Sequence, residues 1–211
     1  MELVQNGPID GPVYLFAHGA GADMNSVFMS EVAEKLSEKG IRVVRFNFPY
    51  MIKRAEDGKR RPPDRAPKLL AAYEEVIKHL DCPVVLGGKS MGGRMSSMLL
   101  AENALREETD RLSILGSACL GFPFHAVGKD PKDRLDHMAE LTEPLLIVQG
   151  TRDTMGTQEE VLGYIEEKRV SSSIQLSWLE DGNHDLKPRK VSGFSHQEHI
   201  DSAIDQVAEF V

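Results

Sequence analysis

Short apolar runs alternate along this chain with stretches in which apolar residues recur three or four positions apart. Tyr14 to Ala17, Ile41 to Phe48, Pro83 to Gly87, Leu112 to Leu115, Leu145 to Gln149 and Ile174 to Leu179 read as strands, the first of them buried. Between them, Phe28, Val32 and Leu36 mark a helix closed at Gly40. Leu69, Leu70, Tyr73, Val76, Ile77 and Leu80 mark a second helix face, and Gly93 to Leu105 a third helix. Thr157 with Glu160, and Ser195 with Glu198, have the spacing of capping boxes that open two more. Pro49 to Pro67 reads as loop, and a long excursion runs from Gly121 to Pro144. Strands that alternate with helices need right-handed crossovers. The pattern therefore predicts an α/β fold, a doubly wound and mostly parallel sheet of about six strands with helices on both faces. At 211 residues, one domain spanning 1–211 is expected.

In such folds, chemistry collects where strands end at their carboxyl edges. One of these ends is Gly88-Lys89-Ser90-Met91-Gly92, between a strand and a helix. A serine on that turn is held in a strained conformation, and glycines two residues to either side let strand and helix pass closely. A plain strand-to-helix turn is the bland alternative. Gly88-Lys89-Ser90 also imitates the end of a P-loop, but the first glycine of that motif would fall on Pro83, inside an apolar run. Nucleotide binding is discounted on that spacing.

A serine hydroxyl needs a general base in hydrogen-bond reach and a third group to orient the base. Histidine suits the second role, with a reference pKa of about 6.5. Asp153 and His184 follow later strands at the same edge, giving the chain order nucleophile, acid, base. Asp181 and Asp185 flank His184 and remain fallback acids. His196 and His199 lie within the last helix and His79 near a helix end, so they are weaker bases, and His18 better suits shaping of a turn. The oxyanion hole is expected from the backbone N–H groups of Met91 and Ala20. Phe122, Phe124 and His125 are candidate substrate-binding residues, forming either an apolar wall or a packed loop.

Composition narrows the partners. A net charge of −8 argues against general attraction to nucleic acid or anionic membrane, and no run approaches the ~20 apolar residues of a membrane span. The first residues, Met1 to Gly7, lack signal-peptide character, so a cytoplasmic location is expected. Cys82 and Cys119 have no metal-ligand spacing and read as free thiols. Neither a metal nor an organic cofactor is implied. Between Lys53 and Lys68 basic residues outnumber acidic ones. That run is either a solvated loop or, through Arg60 and Arg61, a lip that would favour anionic esters.

His18-Gly19-Ala20-Gly21-Ala22, Asn47-Phe48-Pro49-Tyr50, Gly87-Gly88-Lys89-Ser90-Met91-Gly92-Gly93-Arg94, Gly121-Phe122-Pro123-Phe124-His125, Gly150-Thr151-Arg152-Asp153 and Gly182-Asn183-His184 carry a family resemblance. Over nearly its whole length the chain resembles the α/β-hydrolase superfamily. More narrowly, it is similar to the compact testis-expressed hydrolase-like subgroup related to dienelactone hydrolases. The resemblance implies Ser90 as nucleophile, Asp153 as acid and His184 as base. Two departures from larger relatives are expected, the absence of a large cap and of the first two strands, which leaves a minimal fold. The expected activity is a serine hydrolase acting on a small-molecule ester or thioester; protein partners are left open. The subgroup also contains a scaffold subunit of a chromatin-modifying complex. A noncatalytic interaction module retaining the fold is therefore the alternative.

Overall fold

The computed structural model describes residues 2–211, apart from the side chains of residues 132 and 133. Seven strands form one sheet: β1 (Leu3–Asn6), β2 (Val13–Ala17), β3 (Arg42–Phe46), β4 (Val84–Lys89), β5 (Ile114–Leu120), β6 (Leu145–Gly150) and β7 (Gln175–Leu179). Their spatial order is β1-β3-β2-β4-β5-β6-β7. All neighbouring pairs are parallel except β1 with β3. Among the described residues six α-helices accompany them, five between strands and the last after β7: α1 (Val27–Glu38), α2 (Pro49–Asp57), α3 (Ala66–Leu80), α4 (Met91–Ala104), α5 (Gln158–Glu166) and α6 (His196–Phe210).

Side-chain alternation along β2 shows how the sheet is covered. Tyr14 and Phe16 point to the face where Met29, Val32 and Leu36 of α1 meet Ile200, Ala203 and Val207 of α6. Val13, Leu15 and Ala17 point to the opposite face, packed by Leu69, Tyr73 and Val76 of α3 and Met95 and Leu99 of α4. Both faces are apolar, so the central strands read as continuous hydrophobic runs. Beyond α4 that second face continues through Ile147 and Leu145 to Val161 of α5 and to Leu135 and Met138 of a 3₁₀ segment (Lys132–Met138).

The structure departs from the expected element list at three places. The sheet has seven strands because Leu3–Asn6 adds an antiparallel edge, with Leu3 opposite Phe46 and Asn6 opposite Val43. Strand β5 continues past Leu115 through Gly116-Ser117-Ala118-Cys119, small residues that let Tyr14 donate to the Ala118 carbonyl at 2.8 Å and let Ser117 Oγ meet Ser96 Oγ at 2.8 Å. Residues 49–57 are helical rather than loop. Pro49 opens α2 with its fixed φ, and Gly58 closes it in the left-handed conformation at φ 68°. Among the described residues, no large cap covers the carboxyl edge of the sheet, and no helix is long and apolar enough to cross a membrane.

Candidate active site

The turn between β4 and α4 holds Ser90 at φ 53° and ψ −115°. A β-carbon on Gly88 would lie 2.4 Å from the Gly92 carbonyl carbon, and one on Gly92 would lie 2.4 Å from the Ala17 carbonyl oxygen. Only hydrogen at both positions lets the helix leave so close to the strand. Ser90 N–H donates to the Leu120 carbonyl at 3.1 Å, and Arg94 N–H donates to the Ser90 carbonyl at 3.0 Å. Both sides of the turn are thereby anchored.

His184 arrives from the loop after β7. Asn183 Oδ1 accepts from the backbone N–H groups of Asp185 and Lys187, each at 3.0 Å, which folds the loop onto itself. Leu186, at φ 62°, is fully buried, and His199 Nδ1 lies 2.9 Å from its carbonyl. His196 Nε2 stands 2.9 Å from the Asp185 carbonyl. The two helical histidines therefore support the loop that carries His184. Asp181 ties the loop's base: its carboxylate accepts from Arg189 N–H at 2.7 Å and pairs with the Arg189 and Arg152 guanidinium groups. The Arg189 bonds hold the Asp181 carboxyl down at about 2.

On this support the Ser90 hydroxyl donates to His184 Nε2 at 2.8 Å, and His184 Nδ1–H donates to Asp153 Oδ2 at 2.7 Å. Asp153 is fully buried, and its Oδ1 accepts from Met155 N–H at 2.8 Å. Gln149, the one polar side chain of β6, escaped the sequence reading because a lone glutamine inside an apolar run carries no motif. Its Nε2 donates to Asp153 Oδ2 at 2.8 Å, and its Oε1 accepts from Phe122 N–H at 2.6 Å. Of the candidate acids, Asp153 alone meets the imidazole. Asp185 is largely exposed and lies 3.6 Å from the Lys89 ammonium.

Beside Ser90 runs the loop after β2. His18 Nε2 accepts from Phe48 N–H at 3.1 Å, so its Nδ1 carries the proton and donates to the Gly19 carbonyl at 2.7 Å. Burial lowers the His18 pKa, which keeps that neutral tautomer. Tyr50 of α2 donates to the Ala20 carbonyl at 3.1 Å, and burial pushes its hydroxyl up to about 12, so it remains a donor. A β-carbon on Gly19 would sit 3.6 Å from Ser90 Cβ, which places the loop against the serine. Neither Ala20 N–H nor Met91 N–H, in the first turn of α4, has an acceptor among the described residues.

Phe122 and Phe124 do not line a mouth. Both are completely buried, with ring centroids 4.8 Å apart, and Phe124 presses on Gly156, where an added β-carbon would meet its ring at 2.5 Å. His125 is buried too, with Nε2 3.3 Å from Glu160 Oε2 and its ring edge-on to Tyr164. These three side chains brace the exit loop of β6 that bears Asp153, because aromatic burial outweighs their position near the edge. Within the basic segment Arg61 binds Asp57 through two nitrogens and Lys68 pairs with Asp64, while Arg60 is exposed. Cys82 and Cys119 are free, and burial pushes the Cys119 thiol up to about 11.

The mostly parallel, seven-stranded sheet agrees with a family comparison. Residues 10–211 match the family described as "Alpha/beta hydrolase domain". The chain belongs to that family. Among solved structures it is similar to Est1E from Butyrivibrio proteoclasticus with ferulic acid bound, at 16% identity and a TM-score of 0.69, covering 99% of this chain and 94% of that one. It is also similar to a dienelactone hydrolase from Anabaena variabilis (17% identity, TM-score 0.68, 100% and 91% covered). A monoacylglycerol lipase from Paleococcus ferrophilus gives 12% identity and a TM-score of 0.70, with 100% and 99% covered. At these identities the likeness is one of fold.

Proposed function

We propose that the protein is a serine hydrolase that cleaves a small carboxylic ester or thioester through an acyl-enzyme. The observation that carries this reading is the unbroken hydrogen-bond chain from the Ser90 hydroxyl through His184 to the buried Asp153 carboxylate. As the Ser90 oxygen bonds to the substrate carbonyl carbon, its proton passes to His184 Nε2. The carbonyl oxygen becomes an oxyanion facing the N–H groups of Met91 and Ala20. Collapse of this intermediate breaks the bond to the leaving alcohol or thiol, which takes the proton from His184. Water then gives a proton to His184 and attacks the acyl carbon, and as the acyl–Oγ bond breaks His184 returns that proton to Ser90, releasing the acid. Asp153 holds the imidazole with Nδ1 protonated, so that Nε2 is the free base.

That structural neighbours include a protein with ferulic acid bound, a dienelactone hydrolase and a monoacylglycerol lipase supports ester chemistry as the class. The absence of a large cap among the described residues supports small substrates approached from an open edge. Labelling by a fluorophosphonate probe tests the reading, because the probe reacts with an activated serine. Wild type labels and Ser90→Ala does not. A wild-type protein that stays unlabelled while folded, and turns over no member of an ester and thioester panel, would instead be a noncatalytic module on this fold.

A further inference from the structure

Lys89 is the last residue of β4 and immediately precedes Ser90, yet its side chain is only 11% exposed. Lysine is almost never buried without a partner, because removing an ammonium from water costs several kcal/mol. Here Nζ donates to the backbone carbonyl of His184 at 2.6 Å and stands 3.6 Å from Asp185 Oδ1. It also lies 5.8 Å from the centroid of the Phe28 ring, within cation–π range. Room for this contact comes from Gly121, at φ 62°. A β-carbon there would fall 2.9 Å from Nζ and 2.6 Å from the His184 carbonyl oxygen. Burial lowers the Lys89 pKa, while the charges of Asp185 and Asp153 act to restore it.

The geometry points to Lys89 as a positioning residue that ties the His184 backbone to the nucleophile turn, an inference resting on the serine-hydrolase reading above. Consecutive residues hold both ends of one histidine. Lys89 binds its carbonyl, and Ser90 binds its ring nitrogen. The contacts close a ring through the Lys89–Ser90 peptide bond, so the spacing of Ser90 Oγ and His184 Nε2 is set by the rigid β4 terminus as well as by the loop after β7. Asp153 orients the imidazole, while Lys89 fixes the backbone from which it projects. Misplacement of a catalytic group by about 1 Å can cost on the order of 10²-fold in rate.

The test is a double-mutant comparison with Lys89→Met, which keeps the length of the side chain and removes its donor. Hydrolysis of p-nitrophenyl acetate and the rate of fluorophosphonate labelling are measured in wild type, Lys89→Met, His184→Ala and the double variant. Lys89→Met is expected to lose about 10–100-fold in kcat with KM nearly unchanged. In the His184→Ala background the same change should cost nothing further, since the group it positions is gone. A wild-type rate in folded Lys89→Met, or an equal loss in both backgrounds, overturns the inference while leaving the hydrolase reading intact. If wild type itself neither labels nor turns over, the hydrolase reading has failed first. Should Lys89→Met not fold, Lys89→Gln takes its place, because its shorter side chain leaves the His184 carbonyl unreached. Failure of both to fold assigns Lys89 to the fold alone and also overturns the inference.

Discussion

Gln149 Nε2 and His184 Nδ1 donate to the same oxygen of Asp153, at 2.8 Å and 2.7 Å. Two donors from different elements fix that carboxylate in position and rotation. The glutamine also closes the Phe122 backbone through both its atoms, accepting from the N–H and donating to the carbonyl at 3.1 Å.

Gln149→Leu should therefore damage stability and rate together. The leucine fills the volume but leaves the Phe122 N–H and the Gly156 carbonyl buried without partners, at about 1–3 kcal/mol for each group, and takes from Asp153 Oδ2 one of its two donors. Urea unfolding is expected to show a loss of about 2–6 kcal/mol, and fluorophosphonate labelling of the folded variant should slow. An unchanged urea midpoint would mean that water replaces the glutamine at no cost.

Asp153→Asn and Asp181→Asn should separate the two acids. Asparagine at 153 turns its NH₂ either toward Met155 N–H or toward Gln149 and His184 together, all of them donors, and facing His184 it upsets the tautomer that leaves Nε2 free. Its labelling rate should fall by about three to four orders of magnitude, as expected when the orienting acid of a triad is lost. Asp181→Asn weakens the pairs with Arg152 and Arg189 but touches no reacting atom. It should lower the melting temperature and keep labelling per folded molecule within several-fold of wild type. The Asp181 carboxyl titrates at about 2 when folded, below its ordinary 3.8. Its contribution is thus complete above pH 3.8 and lost as pH falls through about 2, so Asp181→Asn should have a flatter acid limb. If the larger rate loss belongs to Asp181→Asn, the acid is misassigned.

Ser90→Gly should be more stable than Ser90→Ala, although both lose the hydroxyl. The φ of 53° with ψ of −115° is costly for any residue with a β-carbon, by about 1–3 kcal/mol, and glycine avoids it. Glycine returns about 0.4–1 kcal/mol of this through the greater freedom of the unfolded chain. A net gain of roughly 1 kcal/mol is expected in urea unfolding. Equal stability of the two variants would show that the turn is unstrained.

Apolar runs made β2, β4 and β6 readable, because buried parallel strands carry little but hydrophobic residues, while β3 and the edge strand β7 kept enough apolar residues to stand out. Strand β1 was hidden because half of its four residues are Gln5 and Asn6, and it pairs only at the sheet's edge. Helix α2 was hidden by its charges, with Tyr50 and Met51 as its only buried residues. Serine, aspartate and histidine at successive strand ends could be singled out because topology brings those ends together, and the structure brings the three side chains within hydrogen-bond distance. Their supports could not be singled out. Gln149, Lys89 and His199 act through contacts between separate elements, and no local spacing marks such contacts. Phe122 and Phe124 show the converse limit: loop aromatics next to a functional edge look the same in sequence whether they face solvent or core.

The 3₁₀ segment Lys132–Met138 should loosen in mild acid because of His137. Its Nε2 lies 2.9 Å from Ser97 Oγ on α4, and burial, aided by the nearby Arg94 guanidinium, pushes its pKa down to about 4. In the unfolded chain the same imidazole takes up its proton near its ordinary 6.5. Between these values the unfolded state binds more protons than the folded state, so stability falls as pH drops from 6.5 toward 4 and this contribution levels off below. The full loss is on the order of 3 kcal/mol. His137→Gln keeps a polar group toward Ser97 and cannot titrate. Urea unfolding of both proteins at pH 7, 5.5 and 4.5 isolates the effect, because the remaining groups are common to both. The wild type should lose ground relative to the variant at each step toward acid, whereas parallel curves would show that His137 titrates normally in the folded protein. Leu135 and Met138 of this segment pack against the core that holds Phe122 and Phe124. Amide hydrogen exchange in residues 134–141 should accordingly rise at pH 4.5 in wild type more than in His137→Gln.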